Sequence, residues 1–174
     1  MSWKKIRTKL LLDHPRLKVY EDIVELPDGT QGNYIYFGDT PGSVAVIARR
    51  SDGKFLVQKE YNYPTNERLY QFPGGGVNEG EAFEDGARRE FAEEAKLGGN
   101  LEQLGWYYTD NRRKKEKQYV YLATDLTPAD AESDPQEELE DFWFTEDEID
   151  ELIKNGEINI YSSLCAWSIY KAKR

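Results

Sequence analysis

The stretch Phe72-Pro-Gly-Gly-Gly-Val-Asn-Glu-Gly-Glu-Ala-Phe-Glu-Asp-Gly-Ala-Arg-Arg-Glu-Phe-Ala-Glu-Glu-Ala-Lys-Leu97 decides how this chain is read. A glycine-rich loop runs directly into an acidic segment. From Ala82 to Lys96 there is no proline, the only glycine is Gly86, and Phe83, Ala87, Phe91 and Ala95 recur every four residues. That spacing predicts a helix with one buried stripe, ended by Gly98-Gly99. On such a helix Glu90, Glu93 and Glu94 stand at i, i+3 and i+4, so three carboxylates converge on one side.

Folding does not ask for that convergence. Like charges at this spacing repel by roughly 0.2–0.5 kcal/mol per pair, and near a helix C-terminus the macrodipole disfavours anions. A bound cation reverses both penalties, and Mg²⁺ prefers oxygen ligands while leaving positions for water and substrate phosphate. Arg89, four residues before Glu93, is placed to hold that carboxylate. Gly74-Gly75-Gly76 permits close backbone approach to a ligand. Taken alone, Glu90 to Glu94 reads better as a solvated acidic face, and it is the full pattern that changes the reading.

The full spacing resembles the signature box of the Nudix hydrolases, which cleave nucleoside diphosphates linked to another group. Eight of nine specified positions match: Gly75, Glu81, Arg89, Glu90, apolar Phe91, Glu93, Glu94 and apolar Leu97. Lys96 stands where the family usually has glycine; with Gly98 and Gly99 next, the expectation is a displaced helix end and an intact metal site.

At 174 residues the chain suits one domain, or a catalytic domain with a small extension. No apolar run is long enough to span a membrane, and Leu10-Leu11-Leu12 is too short for a signal-peptide core, so a cytoplasmic location is expected. Cys165 is the single cysteine, which excludes an intramolecular disulfide framework and a cysteine zinc cluster; its apolar neighbours predict a buried, inert thiol. His14, the single histidine, reads as a surface turn residue and offers little to a Ser-His-Asp mechanism. A net charge of −10 argues against long nucleic acid as the main partner; small anions remain suitable where a metal supplies positive charge.

Leu17–Leu26 and Asn33–Phe37 read as strands around the turn Pro27-Asp28-Gly29. Val44–Ala48 and Phe55–Tyr61 flank Ser51-Asp52-Gly53-Lys54 and predict a hairpin. Leu69–Phe72, Leu104–Thr109, Gln118–Thr124 and Asp141–Phe144 read as further strands. Residues 110–117 form a basic linker, either a solvated tip or a contact for phosphate. Pro128–Glu138 reads as a loop. Helices are expected at Glu146–Lys154, capped by Thr145, and Ser163–Lys171, capped by Ser162. The pattern is α+β, an α/β/α sandwich. By the resemblance it is of the Nudix type, with a β extension over residues 1–40 and the hydrolase domain over 41–174.

Val24-Glu25-Leu26-Pro27-Asp28-Gly29, Glu60-Tyr61-Asn62-Tyr63-Pro64 and Gly156-Glu157-Ile158 extend the resemblance to the branch that hydrolyses ADP-ribose and other nucleoside diphosphate sugars. That branch implies a homodimer formed through N-terminal strands. It also implies Mg²⁺, with Mn²⁺ as an alternative, on Glu90, Glu93, Glu94 and the Gly74 carbonyl. Arg89 would orient the carboxylates, Glu81 would bind an outer water, and Glu137 or Glu138 would serve as general base. Trp3 or Tyr20 would stack on the base, with Asn62, Arg68 and Arg112 as further substrate contacts. Two departures broaden the substrate from ADP-ribose to nucleoside diphosphate sugars generally, GDP-mannose included. No proline follows the box until Pro128, the usual register falling near Arg112, and Asn62 replaces an arginine common in relatives. The alternatives are a nucleoside triphosphate or RNA 5′-end pyrophosphohydrolase, or a nucleotide sensor without catalysis.

Overall fold

The computed structural model describes residues 2–132 and 138–174. They pack as two units, one of residues 1–40 with 108–116, the other of 41–107 with 117–174.

The first unit is an antiparallel sheet of β1 (Lys4–His14), β2 (Leu17–Glu25) and β3 (Gln31–Phe37), in that order. The β2–β3 turn has the predicted chemistry: Gly29 takes φ +83° and Asp28 Oδ1 accepts from the Thr30 N–H at 3.0 Å. β1 was not legible as a strand from the order of its residues, and its register explains why. Shifts fall between Lys5 and Arg7 and between Leu10 and Leu12, so the alternation that marks a strand is interrupted twice. His14 ends β1, exposed, its Nδ1 accepting from the Arg16 N–H at 3.2 Å. The basic linker is exposed at Asn111, Arg112, Arg113 and Lys115, as a solvated tip would be, but its backbone is attached. Phe37 N donates to Arg113 O at 2.7 Å, Arg113 Nη1 to Ile35 O at 2.8 Å, and the Tyr34 hydroxyl to Arg112 O, which docks it along β3.

The second unit contains two three-stranded sheets. One runs β4 (Ser43–Ala48), β8 (Lys117–Pro128), β7 (Leu97–Tyr108); the other runs β6 (Glu67–Gln71), β5 (Phe55–Asn62), β9 (Glu140–Phe144). The predicted β4–β5 hairpin does not form. Its turn is present, with Arg50 N bonded to Lys54 O at 2.8 Å and Gly53 at φ +85°, but only Arg49 and Phe55 pair across it. β4 instead lies parallel to β8, and β5 sits between β6 and β9. β4 is a nearly continuous apolar run, and β4 and the first half of β5, as far as Gln58, are buried on both faces; such strands need partners and layers on every side.

Alternate residues of β4 point into two cores. Ala45 and Ile47 pack with Phe55, Phe72, Ile149, Trp167 and Tyr170, beneath α2 (Glu146–Lys154) and α3 (Tyr161–Ala172). Val44, Val46 and Ala48 pack with Leu56, Ala87, Phe91, Ala95 and Tyr121, beneath α1 (Phe83–Ala95). This is the expected α+β, α/β/α sandwich.

Three boundary expectations are corrected. α1 ends at Ala95, with Lys96 itself as the left-handed cap at φ 55°, so its end is not displaced to Gly98-Gly99. Those glycines lie in β7, where a Cβ on Gly99 would stand 2.5 Å from Thr124 O, so Gly99 serves close strand approach. α3 begins at Tyr161 without a side-chain cap, because the ladder already starts with Leu164 N to Ile160 O. Of the predicted loop, Pro128 closes β8 and 129–132 and 138 carry no regular element; Glu137 lies outside the described residues. Cys165 is only half-buried on α3, and burial pushes its thiol pKa up.

α2 has the capping box read from its sequence, with Thr145 Oγ1 accepting from Glu148 N at 3.3 Å and Glu148 Oε2 accepting from Thr145 N at 2.7 Å. Thr145→Ala is expected to lower stability by about 1 kcal/mol in urea denaturation, with the m-value unchanged.

Candidate active site

The glycine loop is built against β4. Val46 N donates to Pro73 O at 2.7 Å and Val44 N to Gly75 O at 2.9 Å, so the loop follows the strand as an edge partner. Gly74 takes φ +146°, and a Cβ there would meet Val44 O at 2.2 Å. Gly75 is required by the helix: a Cβ would meet Glu90 Oε2 at 2.7 Å. These two glycines set how closely strand, loop and α1 approach.

Arg89 organises the acidic face. Its Nε and Nη2 grip Glu81 at 2.9 Å each, its Nη1 reaches Glu90 Oε1 at 2.7 Å and Glu93 Oε2 at 3.1 Å, and Nη2 also donates to Gly76 O at 2.9 Å. The planar fork suits this many acceptors at once. Glu81 Oε2 also accepts from Asn78 N at 2.8 Å. The Arg89 guanidinium and this N–H hold Glu81 at a pKa of about 2. Glu90 moves the other way, pushed up because burial of its carboxylate outweighs the pull of Arg89. Glu94 is bonded to the loop, its Oε2 accepting from the Gly74 N–H at 2.8 Å.

The expected gathering of Glu90, Glu93 and Glu94 on one side of the helix is held by separate donors. The carboxylates divide between two donors, Arg89 for Glu90 and Glu93 and the Gly74 N–H for Glu94. Among the described residues no group of three Asp, Glu, His or Cys side chains is arranged as a metal cage. Mutual repulsion spreads like charges toward whatever donors are in reach. The donor chemistry nevertheless fits a hard divalent cation, since the set offers only oxygen and burial leaves Glu90 short of compensating positive charge.

The other predicted site residues fall into separate groups. Asn62 spends its side chain on the β5–β6 turn, accepting from Thr65 N at 3.3 Å. Arg68, on β6, meets Glu138 Oε2 at 3.8 Å and Glu140 Oε2 at 3.8 Å. In the first unit Trp3 meets Tyr34 edge-on at 6.0 Å, and Tyr20 stacks on Tyr36 at 5.6 Å. Arg112 lines a cleft of about 270 Å³ with Lys5, Tyr34, Tyr36 and Arg113.

Sequence reasoning missed Gln58. It is fully buried on β5 and donates through Nε2 to Asp141 Oδ1 at 2.9 Å and to the Glu94 carbonyl at 3.3 Å. A glutamine closing the apolar run Phe55-Leu56-Val57 was the available signal, since a buried amide needs partners.

With this geometry in place, the chain matches known proteins as follows. The NUDIX domain family matches residues 39–164. An ADP-ribose pyrophosphatase of Bacillus subtilis (strain 168) is 27% identical over 169 residues, covering 95% of this chain and 90% of that protein. A methanol dehydrogenase activator of Bacillus methanolicus is 31% identical over 165 residues, covering 92% of this chain and 86% of that protein. A solved structure described as an ADP compounds hydrolase superposes with a TM-score of 0.89 at 20% identity, covering 99% of this chain and 94% of that one. The chain belongs to the Nudix family. It is a Nudix pyrophosphohydrolase, and the resemblance to the ADP-ribose pyrophosphatase branch is borne out.

Glu81 carries a pH signature. Its folded pKa of about 2 lies below the ordinary 4.5, so its pairing with Arg89 stabilises the fold fully above pH 4.5 and is lost as pH falls toward 2. Glu81→Gln should therefore be less stable than wild type at pH 7, with the gap closing between those values in denaturation curves.

Proposed function

We propose that this protein hydrolyses the diphosphate bond of nucleoside diphosphate sugars with a divalent metal, Mg²⁺ first and Mn²⁺ as an alternative. ADP-ribose is the leading substrate and GDP-mannose a second, and the products are nucleoside monophosphate and sugar phosphate. The observation that carries this reading is the joining of Glu81, Glu90 and Glu93 through Arg89, beside a glycine loop tied to Glu94. The likeness to an ADP-ribose pyrophosphatase extends over nearly the whole chain, beyond the family domain.

Glu90, Glu93, Glu94 and the Gly74 carbonyl would hold the metal. When bound, the ion neutralises the diphosphate and acidifies a water for attack on phosphorus. Arg89 keeps Glu90 and Glu93 oriented, and Glu81 in turn holds Arg89 by a bidentate pair. Glu138, beside Arg68, is the described candidate for taking the proton from that water, with Glu137 the other residue of the same acidic segment. Trp3 or Tyr20 would stack on the base, and Arg112, with its basic neighbours, would meet phosphate. Asn62 would act through the turn that it closes.

The residue 1–40 extension would form a homodimer with its counterpart in a second copy. Its sheet leaves Ile6, Leu10, Leu12 and Leu17 exposed, an apolar surface that association would cover. Residues 41–174 would form the hydrolase domain. Among the described residues no helix is long and apolar enough to cross a membrane.

Product analysis on ADP-ribose, GDP-mannose, other sugar nucleotides and nucleoside triphosphates, with Mg²⁺ and with chelator, tests this reading. Metal-dependent release of nucleoside monophosphate and sugar phosphate is expected, and turnover of triphosphates alone would overturn the substrate class. Glu94→Gln should lower kcat by about a hundredfold or more, the scale of losing a metal ligand or its support. Its Tm should hold, because the amide oxygen still accepts from the Gly74 N–H; full activity would refute the metal assignment.

A further inference from the structure

We propose that Ser163 and Gln118 are positioning residues for the candidate metal site, fastening the glycine loop from the core beneath α3 while Glu94 and Arg89 grip it from α1. The metal-binding part of this inference rests on the function proposed above.

Burying a hydroxyl or an amide costs stability unless it finds a partner, and an apolar side chain of like size avoids that cost. Aromatic residues aside, three polar side chains are buried among the described residues: Gln58, Gln118 and Ser163. All three end on backbone atoms of the candidate site or of the strand beneath it. Gln58 donates to the Glu94 carbonyl at 3.3 Å, in the last turn of α1. Ser163 Oγ, on α3, accepts from the Phe72 N–H at 3.3 Å. Gln118 Nε2, on β8, donates to Val44 O at 3.2 Å, and its Oε1 accepts from the Tyr107 hydroxyl, which fixes the amide in that orientation.

The Ser163 and Gln118 contacts both act on the loop. Phe72 lies one residue past the β5–β6 ladder, which ends at Gln71, and is itself buried, so its N–H needs an acceptor beyond that ladder. Ser163 supplies one, two residues before Gly74. Val44 O is the atom against which Gly74 packs, since a Cβ there would stand 2.2 Å from it. Gln118 holds that oxygen, so the loop has its entry fixed by Ser163 and its floor by Gln118. What lies between them is the Gly74 peptide. Its N–H donates to Glu94 Oε2 at 2.8 Å. The Gly75 and Gly76 carbonyls are taken, by Val44 N at 2.9 Å and Arg89 Nη2 at 2.9 Å. The Gly74 carbonyl accepts from no group among the described residues, which leaves it open to a cation.

Ser163→Ala removes the acceptor, and Gln118→Met removes the donor at nearly constant volume. In metal-free protein the Gly74 amide should exchange its hydrogen about tenfold faster in each variant, the scale of one hydrogen bond. The dissociation constant for Mn²⁺, read without substrate from the free-ion signal in electron paramagnetic resonance, should rise about tenfold or more, as when a group that orients a metal's ligands is lost. Ser163→Thr keeps the hydroxyl and should restore both. Thr145→Ala, which lowers stability through the α2 cap, is the control and should change neither. Unchanged exchange at Gly74 in Ser163→Ala, unchanged Mn²⁺ affinity where the wild type binds Mn²⁺, or equal changes in Thr145→Ala would overturn the proposal. If the wild type binds no Mn²⁺, the metal assignment fails on that result. Exchange at Gly74 then decides the fastening: faster in Ser163→Ala supports it, unchanged refutes it.

Discussion

A helix that gathers Glu90, Glu93 and Glu94 on one side must be held against its own charge, and Arg89 is the residue that holds it. One guanidinium accepts the load of Glu81, Glu90, Glu93 and the Gly76 carbonyl. Its rigid fork serves several acceptors with little loss of side-chain freedom. Lysine, a single compact charge, could not span the same set. The opposite shifts of Glu81 and Glu90 follow from this arrangement. Glu81 has the bidentate share of Arg89, whereas Glu90 has one bond and the larger desolvation.

The rest of the second unit serves to bring the glycine loop to this helix face. β4 stands between two cores, one under α1 and one under α2 and α3, and lends its edge to residues 73–76 of the loop. Packing on both faces leaves the strand little freedom to shift. The loop inherits that rigidity, so the Gly74 N–H meets Glu94.

Charge is unevenly shared between the two units. Residues 1–40 and 108–116 carry ten Lys and Arg against eight Asp and Glu, leaving thirteen against twenty-five for the remainder. The net acidity that argues against long nucleic acid therefore belongs to the unit with the carboxylate helix, where a cation is favoured. The basic linker is a structural part of the smaller unit, since its backbone pairs with β3.

By itself the sequence determined the helix, its buried stripe, the acids on its other side and the capping box of α2. Those depend on spacing within a single element, and 3.6-residue periodicity writes them directly into the order of residues. The glycines were legible as points of close approach for the same local reason. Only the tertiary structure decided that β4 joins β8 and not β5, because a strand buried on both faces takes its partner from what packs around it. It also decided that β1 is a strand despite two register shifts, and that Lys96 caps the helix where glycine was expected. The division of the carboxylates between Arg89 and the Gly74 N–H, and the bridge from Gln58 to Asp141, join residues far apart in the chain. No periodicity encodes such pairs. They arise when burial brings polar groups together and each must find a partner.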